Sequence, residues 1–196
     1  MTNLATTAPP EVIEINGKTY PADTDYRTWI RVNAEMRELV PGECSDEDVK
    51  ENLLTIVRIE HLIFGGVVKE PWQHVLEGIR RFIAGYPKED NGHTPEAHEP
   101  VYDFEHDLNM IILAIRNQSG LDLSYQGIKP FHWWLFLLEF EALSGEHRIL
   151  ERMRARSYDG KDKDMLKAKR AMALPRKLTR AAERAGVEAD DIFYNT

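Results

Sequence analysis

Three histidines, His93, His98 and His106, fall close to Asp103, Glu105 and Asp107, and imidazole with carboxylate is the donor set that holds divalent metals. A catalytic zinc site spaces its ligands by a helical turn, as in His-Glu-Xaa-Xaa-His, and structural sites draw on several cysteines. Neither pattern occurs. The cluster reads as a polar loop entering the acidic first turn of a helix, where Asp103 and Glu105 suit the helix dipole, and no metal is expected. Cys44 lies in Gly-Glu-Cys-Ser-Asp-Glu-Asp, an acidic setting that disfavours the thiolate a nucleophile needs. Glu139 and Glu141 are two apart on a helix and point in different directions, so they do not form an acid and base pair. No nucleophile elbow, phosphate-cradling loop or dinucleotide fingerprint is present, and the chain reads as a non-enzyme with no catalytic residue and no cofactor.

The most unusual residues are His132-Trp133-Trp134. Two adjacent Trp cannot share one helix face, so one must pack on a second element. Their apolar neighbours favour a core role over a partner anchor, with His132 donating a hydrogen bond at the helix start. They open the most apolar stretch, Phe131 to Phe140, which Pro130 precedes and Ser144-Gly145 breaks. It is apolar nearly all round and is expected at the centre of the core.

The other segments must build a body around that helix. From Glu11 to Pro21, β-formers flank Asn16-Gly17, the pair best suited to a type I′ turn, which predicts a short β-hairpin. Tyr26, Trp29, Ile30, Asn33, Met36 and Val40 then recur at helical spacing until Pro41-Gly42, with Trp29 facing the core. Ser45 and Asp48 look like a capping signal for a second helix with Val49, Leu53, Ile56, Val57 and Ile63 inward, ended by Gly65-Gly66. Val75, Leu76, Ile79, Phe82 and Ile83 mark a third helix, with Pro71 in its first turn. Tyr86 to Pro100 reads as a surface loop. Phe104, Leu108, Ile111, Ile112 and Ile115 mark a fourth helix with Gly120 as its C-cap. After the Trp-rich helix come one with Ile149, Leu150 and Met153 and a basic one within Lys161 to Leu174. The fold class predicted is mostly α: an N-terminal hairpin followed by a helical bundle around a central Trp-rich helix.

Length and composition, 196 residues with 42% hydrophobic and 30% charged, predict one domain over 11–174, with residues 1–10 disordered and 175–196 a frayed extension. The chief apolar run, Trp133 to Leu138, is far short of the roughly 20 residues of a membrane span. Met1 to Pro10 lacks the basic and apolar parts of a secretory signal, and a lone cysteine makes no internal disulfide, so a reducing cytoplasm is expected.

The net charge of −8 is uneven: Gly145 to Arg184 carries thirteen Lys or Arg against six Asp or Glu, +7, leaving −15 elsewhere. A basic arm of this kind could meet nucleic acid, but its interspersed acids speak for a solvated helix face. Arg154, Arg156, Lys167 and Lys169, with Phe193 and Tyr194 in the Ile192-Phe193-Tyr194 tail, are the candidate partner-binding residues. The hairpin edge and the apolar tail leave self-association open.

Three stretches together carry a likeness. One is the hairpin running into Ala22-Asp23-Thr24-Asp25-Tyr26-Arg27-Thr28-Trp29. The second, and most specific, joins Tyr102-Asp103-Phe104-Glu105-His106-Asp107 to Gly120-Leu121-Asp122-Leu123 and then Phe131-His132-Trp133-Trp134. The third is Arg154 to Leu174, with Arg156, Asp159, Lys161, Asp162 and Lys163 before a basic helix ending in Ala173-Leu174. In order and spacing the chain resembles the phage gene product fifteen family, tail assembly proteins of long-tailed phages and prophages. It departs at Ala22, in a long loop from Pro87 to Pro100, and in the extension after Arg176. The resemblance implies a tail assembly chaperone in the cytoplasm of the bacterial host. Such a protein binds the tape measure protein, with the major tail protein as a second partner, and is absent from the mature virion. The alternative is a basic-armed helical nucleic-acid-binding or regulatory protein.

Overall fold

The computed structural model describes residues 7–40, 44–85, 101–124 and 129–175. Among them the chain is mostly α: a two-stranded hairpin followed by seven helices. Length predicts one core over 11–174; the contacts cluster into two compact units, whose described parts lie within 7–85 and 101–175.

In the first unit Asn16 and Gly17 both take positive φ, 51° and 74°, as a type I′ turn requires. They set β1 (Val12–Ile15) antiparallel to β2 (Lys18–Pro21), with Ile15 opposite Lys18. Ile13 and Ile15 are buried on one face. Asp23 and Asp25 start α1 (Tyr26–Met36): Asp25 Oδ1 accepts from the Arg27 N–H, and Asp23 accepts from the Asp25 N–H and the Thr28 hydroxyl. Trp29 is fully buried, donates its indole N–H to the Asp23 carbonyl at 2.7 Å and stacks on Phe82 at 4.4 Å between centroids. The helix stops at Met36, short of the expected Val40, because the Asn52 amide takes both the N–H and the carbonyl of Val40, at 3.0 Å each.

Helix α2 (Asp46–Phe64) begins with the expected capping box of Ser45 and Asp48 and ends at Gly65, left-handed at φ 70°. Its inward stripe is Thr55, Ile56, Ile59, Glu60 and Ile63; Val49 and Leu53, expected inward, are 46% and 43% exposed. Leu53 lies at the edge of that stripe, and Val49, in line with Ile56 and Ile63, lies in a first turn that is left uncovered. Farther along, the segment after Gly66 folds back on the edge, and the Val68 N–H bonds Glu60 at 3.2 Å. Burial pushes the Glu60 carboxyl above its usual value despite that bond.

Helix α3 (Trp72–Ile83) has Pro71 as its N-cap and buries Val75, Leu76, Gly78, Ile79 and Phe82. It crosses β1 at Gly78, where backbone approaches backbone. A second tie joins the hairpin to the α2–α3 connection: Glu70 accepts from Lys18 Nζ at 2.6 Å, Tyr20 OH at 2.8 Å and Asn16 Nδ2 at 2.9 Å. The Lys18 bond first, then those of Asn16 and Tyr20, lower the Glu70 carboxyl from 4.5 to about 2. Since the folded group binds its proton less tightly than the unfolded one, its contribution is complete above about pH 4.5 and disappears as pH falls through about 2. Glu70→Gln is therefore expected to lower the urea midpoint at pH 6 and to lower it far less at pH 2; equal losses at both would show that the carboxylate charge plays no part.

The second unit holds α4 (Phe104–Ser119), α5 (Trp133–Glu141), α6 (Arg148–Arg156) and α7 (Lys163–Met172). Left-handed Gly120 ends α4 as the sequence predicts, and Asp103, expected within the first turn, is its N-cap. His132 caps α5 in the opposite sense to the expectation: its Nδ1 accepts the Trp134 N–H at 3.0 Å instead of donating, since the free groups at a helix start are donors. Trp133 and Phe136 are essentially fully buried, Trp134 nearly so, and Phe104 meets Trp133, Phe136 and Phe140 at 5.6, 5.9 and 6.1 Å. This aromatic cluster is the centre of the second unit.

Candidate functional site

Asp107, read from the sequence as part of a polar first turn, is fully buried, and so is nearly all of Arg156. Arg156 grips Asp107 with both terminal nitrogens, Nη1 to Oδ2 at 2.5 Å and Nη2 to Oδ1 at 3.2 Å. Its remaining donors reach the carbonyls of Val101 at 3.0 Å and Met172 at 2.6 Å. The Asp103 N–H and Arg152 also point at Asp107. Burial alone would push the Asp107 carboxyl up; the Arg156 hydrogen bonds, the Asp103 N–H and the charges of Arg156 and Arg152 outweigh it and hold it below its usual value. One guanidinium thus fixes the start of α4, the end of α6 and the end of α7.

That node sets α6 on α4, on which α5 packs through Phe104. At α4's far end Gln118 pins the turn between α5 and α6, donating to the Ala142 carbonyl at 2.9 Å and accepting the Ser144 N–H at 2.8 Å. The result is an open apolar groove of about 320 Å³ lined by Tyr102, Leu137, Phe140, Leu143, Leu150 and Met153, with Glu141 at its edge. Tyr102 is held edge-on to Phe140 at 4.9 Å.

The expected partner-binding residues divide. Arg154, exposed on α6 next to Met153, donates to the Gly145 carbonyl at 3.1 Å, and Lys167 is exposed on α7. Lys169 is half-covered and reaches the Tyr158 carbonyl at 3.0 Å. Arg156 is the correction: its guanidinium is spent inside the protein and is not offered to a partner. Phe193 and Tyr194 lie outside the described residues, as do His93 and His98. Asp103, Glu105 and His106 do bring ligand atoms within 4.8 Å of one another. Asp103 Oδ1, however, caps the Glu105 and His106 N–H groups and faces His106 Nδ1 at 3.4 Å, so the cluster is accounted for by the helix start. The half-covered Cys44 thiol sits 3.4 Å from the Val40 carbonyl and 3.7 Å from the Asn52 amide, part of the link between α1 and α2.

A match to the family described as bacteriophage Gp15 protein spans residues 8–178. The chain belongs to the bacteriophage Gp15 family. No curated protein matches it, and no solved structure does. The Gp15 match takes in every element from β1 to α7, including the node and the groove, and leaves Phe193 and Tyr194 outside it. Among the described residues of this Gp15 protein no helix is long and apolar enough to cross a membrane.

Proposed function

We propose that this phage protein is a non-catalytic tail assembly chaperone, which binds the tape measure protein in the cytoplasm of the bacterial host and is absent from the finished virion. The observation that carries the reading is the groove between α5 and α6, an apolar trough beside Arg154, suited to the apolar face of an amphipathic helix. A tape measure protein offers long helices of that kind. The buried Asp107–Arg156 node supports the reading by fixing α6, one wall of the trough, to α4.

Coexpression with the tape measure protein of the same gene cluster, followed by size-exclusion chromatography with light scattering, tests it. A soluble complex is expected only when this chain is present. Met153→Glu with Arg154→Glu should weaken the complex at least about tenfold with far-ultraviolet circular dichroism unchanged. A tape measure protein that stays insoluble, or a complex indifferent to both substitutions, overturns the proposal. The exposed stripe of Lys163, Lys167 and Arg170 on α7 favours a second reading, nucleic-acid binding. A steep loss of duplex DNA binding with added salt would support that reading.

A further inference from the structure

Two surfaces, one in each unit, are unusual for opposite reasons. In the first, α2 opens with Val49, Leu53 and Leu54, each more than 40% exposed, beside exposed Asp46 and Glu47. Residues 46–57 hold four acids against Lys50. Isolated exposed aliphatics are ordinary, but three within six residues on an acidic helix start make a patch that is both apolar and negative.

In the second unit α4, α5 and α6 each carry side chains with no exposure, Ile111, Phe136 and Ile149, whereas no residue of α7 is buried. Met165 is 37% exposed, and Leu166 and Met172 are half-covered. Lys163, Lys167 and Arg170 follow at i, i+4 and i+7, all exposed, with Asp164 the acid within the helix. A ten-residue helix is marginal by itself. Here it is held by Arg156 to the Met172 carbonyl, Lys169 to the Tyr158 carbonyl and the Asp162 N–H to Tyr158 OH. It is firmly tethered but thinly covered, and positive.

We propose that α7 of one copy docks on the first three turns of α2 of a second copy. Lys163, Lys167 and Arg170 face Asp46 and Glu47, and their aliphatic stems cover the patch of Val49, Leu53 and Leu54. Charge complementarity names the partner: the chain divides into an arm of +7 and a remainder of −15, so a second copy supplies the sign each surface lacks. Each copy carries both surfaces, so the contact is head to tail.

Sedimentation velocity of the full chain over a concentration series tests this without any tail component, so it fails or succeeds independently of the chaperone reading. Self-association is expected at low salt and should weaken about tenfold when sodium chloride rises from about 0.05 to 0.5 M. Lys167→Glu with Arg170→Glu should weaken it at least about tenfold, and Asp46→Lys with Glu47→Lys likewise. A mixture of the two variants should recover association, since α7 and α2 from different variants again carry opposite signs, reversed in one pairing and native in the other. Thermal melts matching the parent chain show that each variant is folded. A chain monomeric throughout, association unmoved by either charge reversal, or loss without recovery in the mixture overturns the proposal.

Discussion

Arg156→Ala is expected to destabilise the second unit by about 3–5 kcal/mol, the range for removing one partner of a buried pair, since Asp107 would keep a carboxylate with no exposure and lose its main counter-charge. Arg152 cannot replace it: its nearest nitrogen is 3.5 Å from Asp107 and its side chain is one-third exposed. The Val101 and Met172 carbonyls would lose their donors as well, which loosens the end of α7. Urea unfolding followed by tryptophan fluorescence reads the loss, because Trp133 and Trp134 sit in the same unit. Asp107→Leu with Arg156→Met should recover most of it, as apolar pairs of similar volume replace buried ion pairs at little cost. Arg154→Glu, on the exposed face of the same helix, should change stability by less than about 0.5 kcal/mol. The pair also carries a pH signature. Since the Asp107 carboxyl is held below its usual value when folded, its contribution is complete above the ordinary aspartate range and is lost as pH falls through the lowered value. Equal losses from Arg154→Glu and Arg156→Ala would show that burial of the pair has no energetic consequence.

The elements were legible because their ends are written locally. Asn16-Gly17, Asp25, the Ser45–Asp48 box, Asp103 and Gly120 each act within a few residues, and each sits in the structure as its residue type requires. What stayed hidden depends on pairs distant in sequence. Val40 leaves the helix because Asn52, twelve residues on, takes its backbone. Val49 and Leu53 have inward spacing, but whether a stripe's edge is covered depends on where the chain returns. The buried node left a signal that helical spacing alone could have raised. Asp107 lies on the stripe of Phe104, Ile111 and Ile115, and Arg152 and Arg156 on that of Ile149 and Met153, so the two apolar faces contain charges of opposite sign. Charge summed along the arm does not tell which face a cation occupies, and Arg156 is on the inner one. The groove has no signature of its own, since Leu137, Leu150 and Met153 look like any core residues until the gap between α5 and α6 is seen.

Gly78→Ala separates local propensity from tertiary fit. In an exposed helix interior the change would favour folding by about 1 kcal/mol, since alanine loses less backbone entropy than glycine. Gly78 lies within α3 where the helix crosses β1, and a Cβ there would stand 2.8 Å from the Glu14 carbonyl oxygen, 3.0 Å from Ile15 Cγ1 and 3.2 Å from Ile13 Cγ2. The nearest atom is backbone, so no rotamer change relieves it. That carbonyl also accepts from Arg81 Nη2 at 3.2 Å, and Ile13 and Ile15 are the buried face of the hairpin, so α3 must move off the strand. Overpacking of this kind costs about 1–3 kcal/mol, more than the helix gains, and Gly78→Val should cost more again. Thermal unfolding should therefore show Gly78→Ala melting below the parent chain and Gly78→Val lower still. A higher midpoint for the alanine variant would mean that the hairpin yields without cost. The close crossing would then not be what fixes β1, whose partner strand is held independently through Glu70.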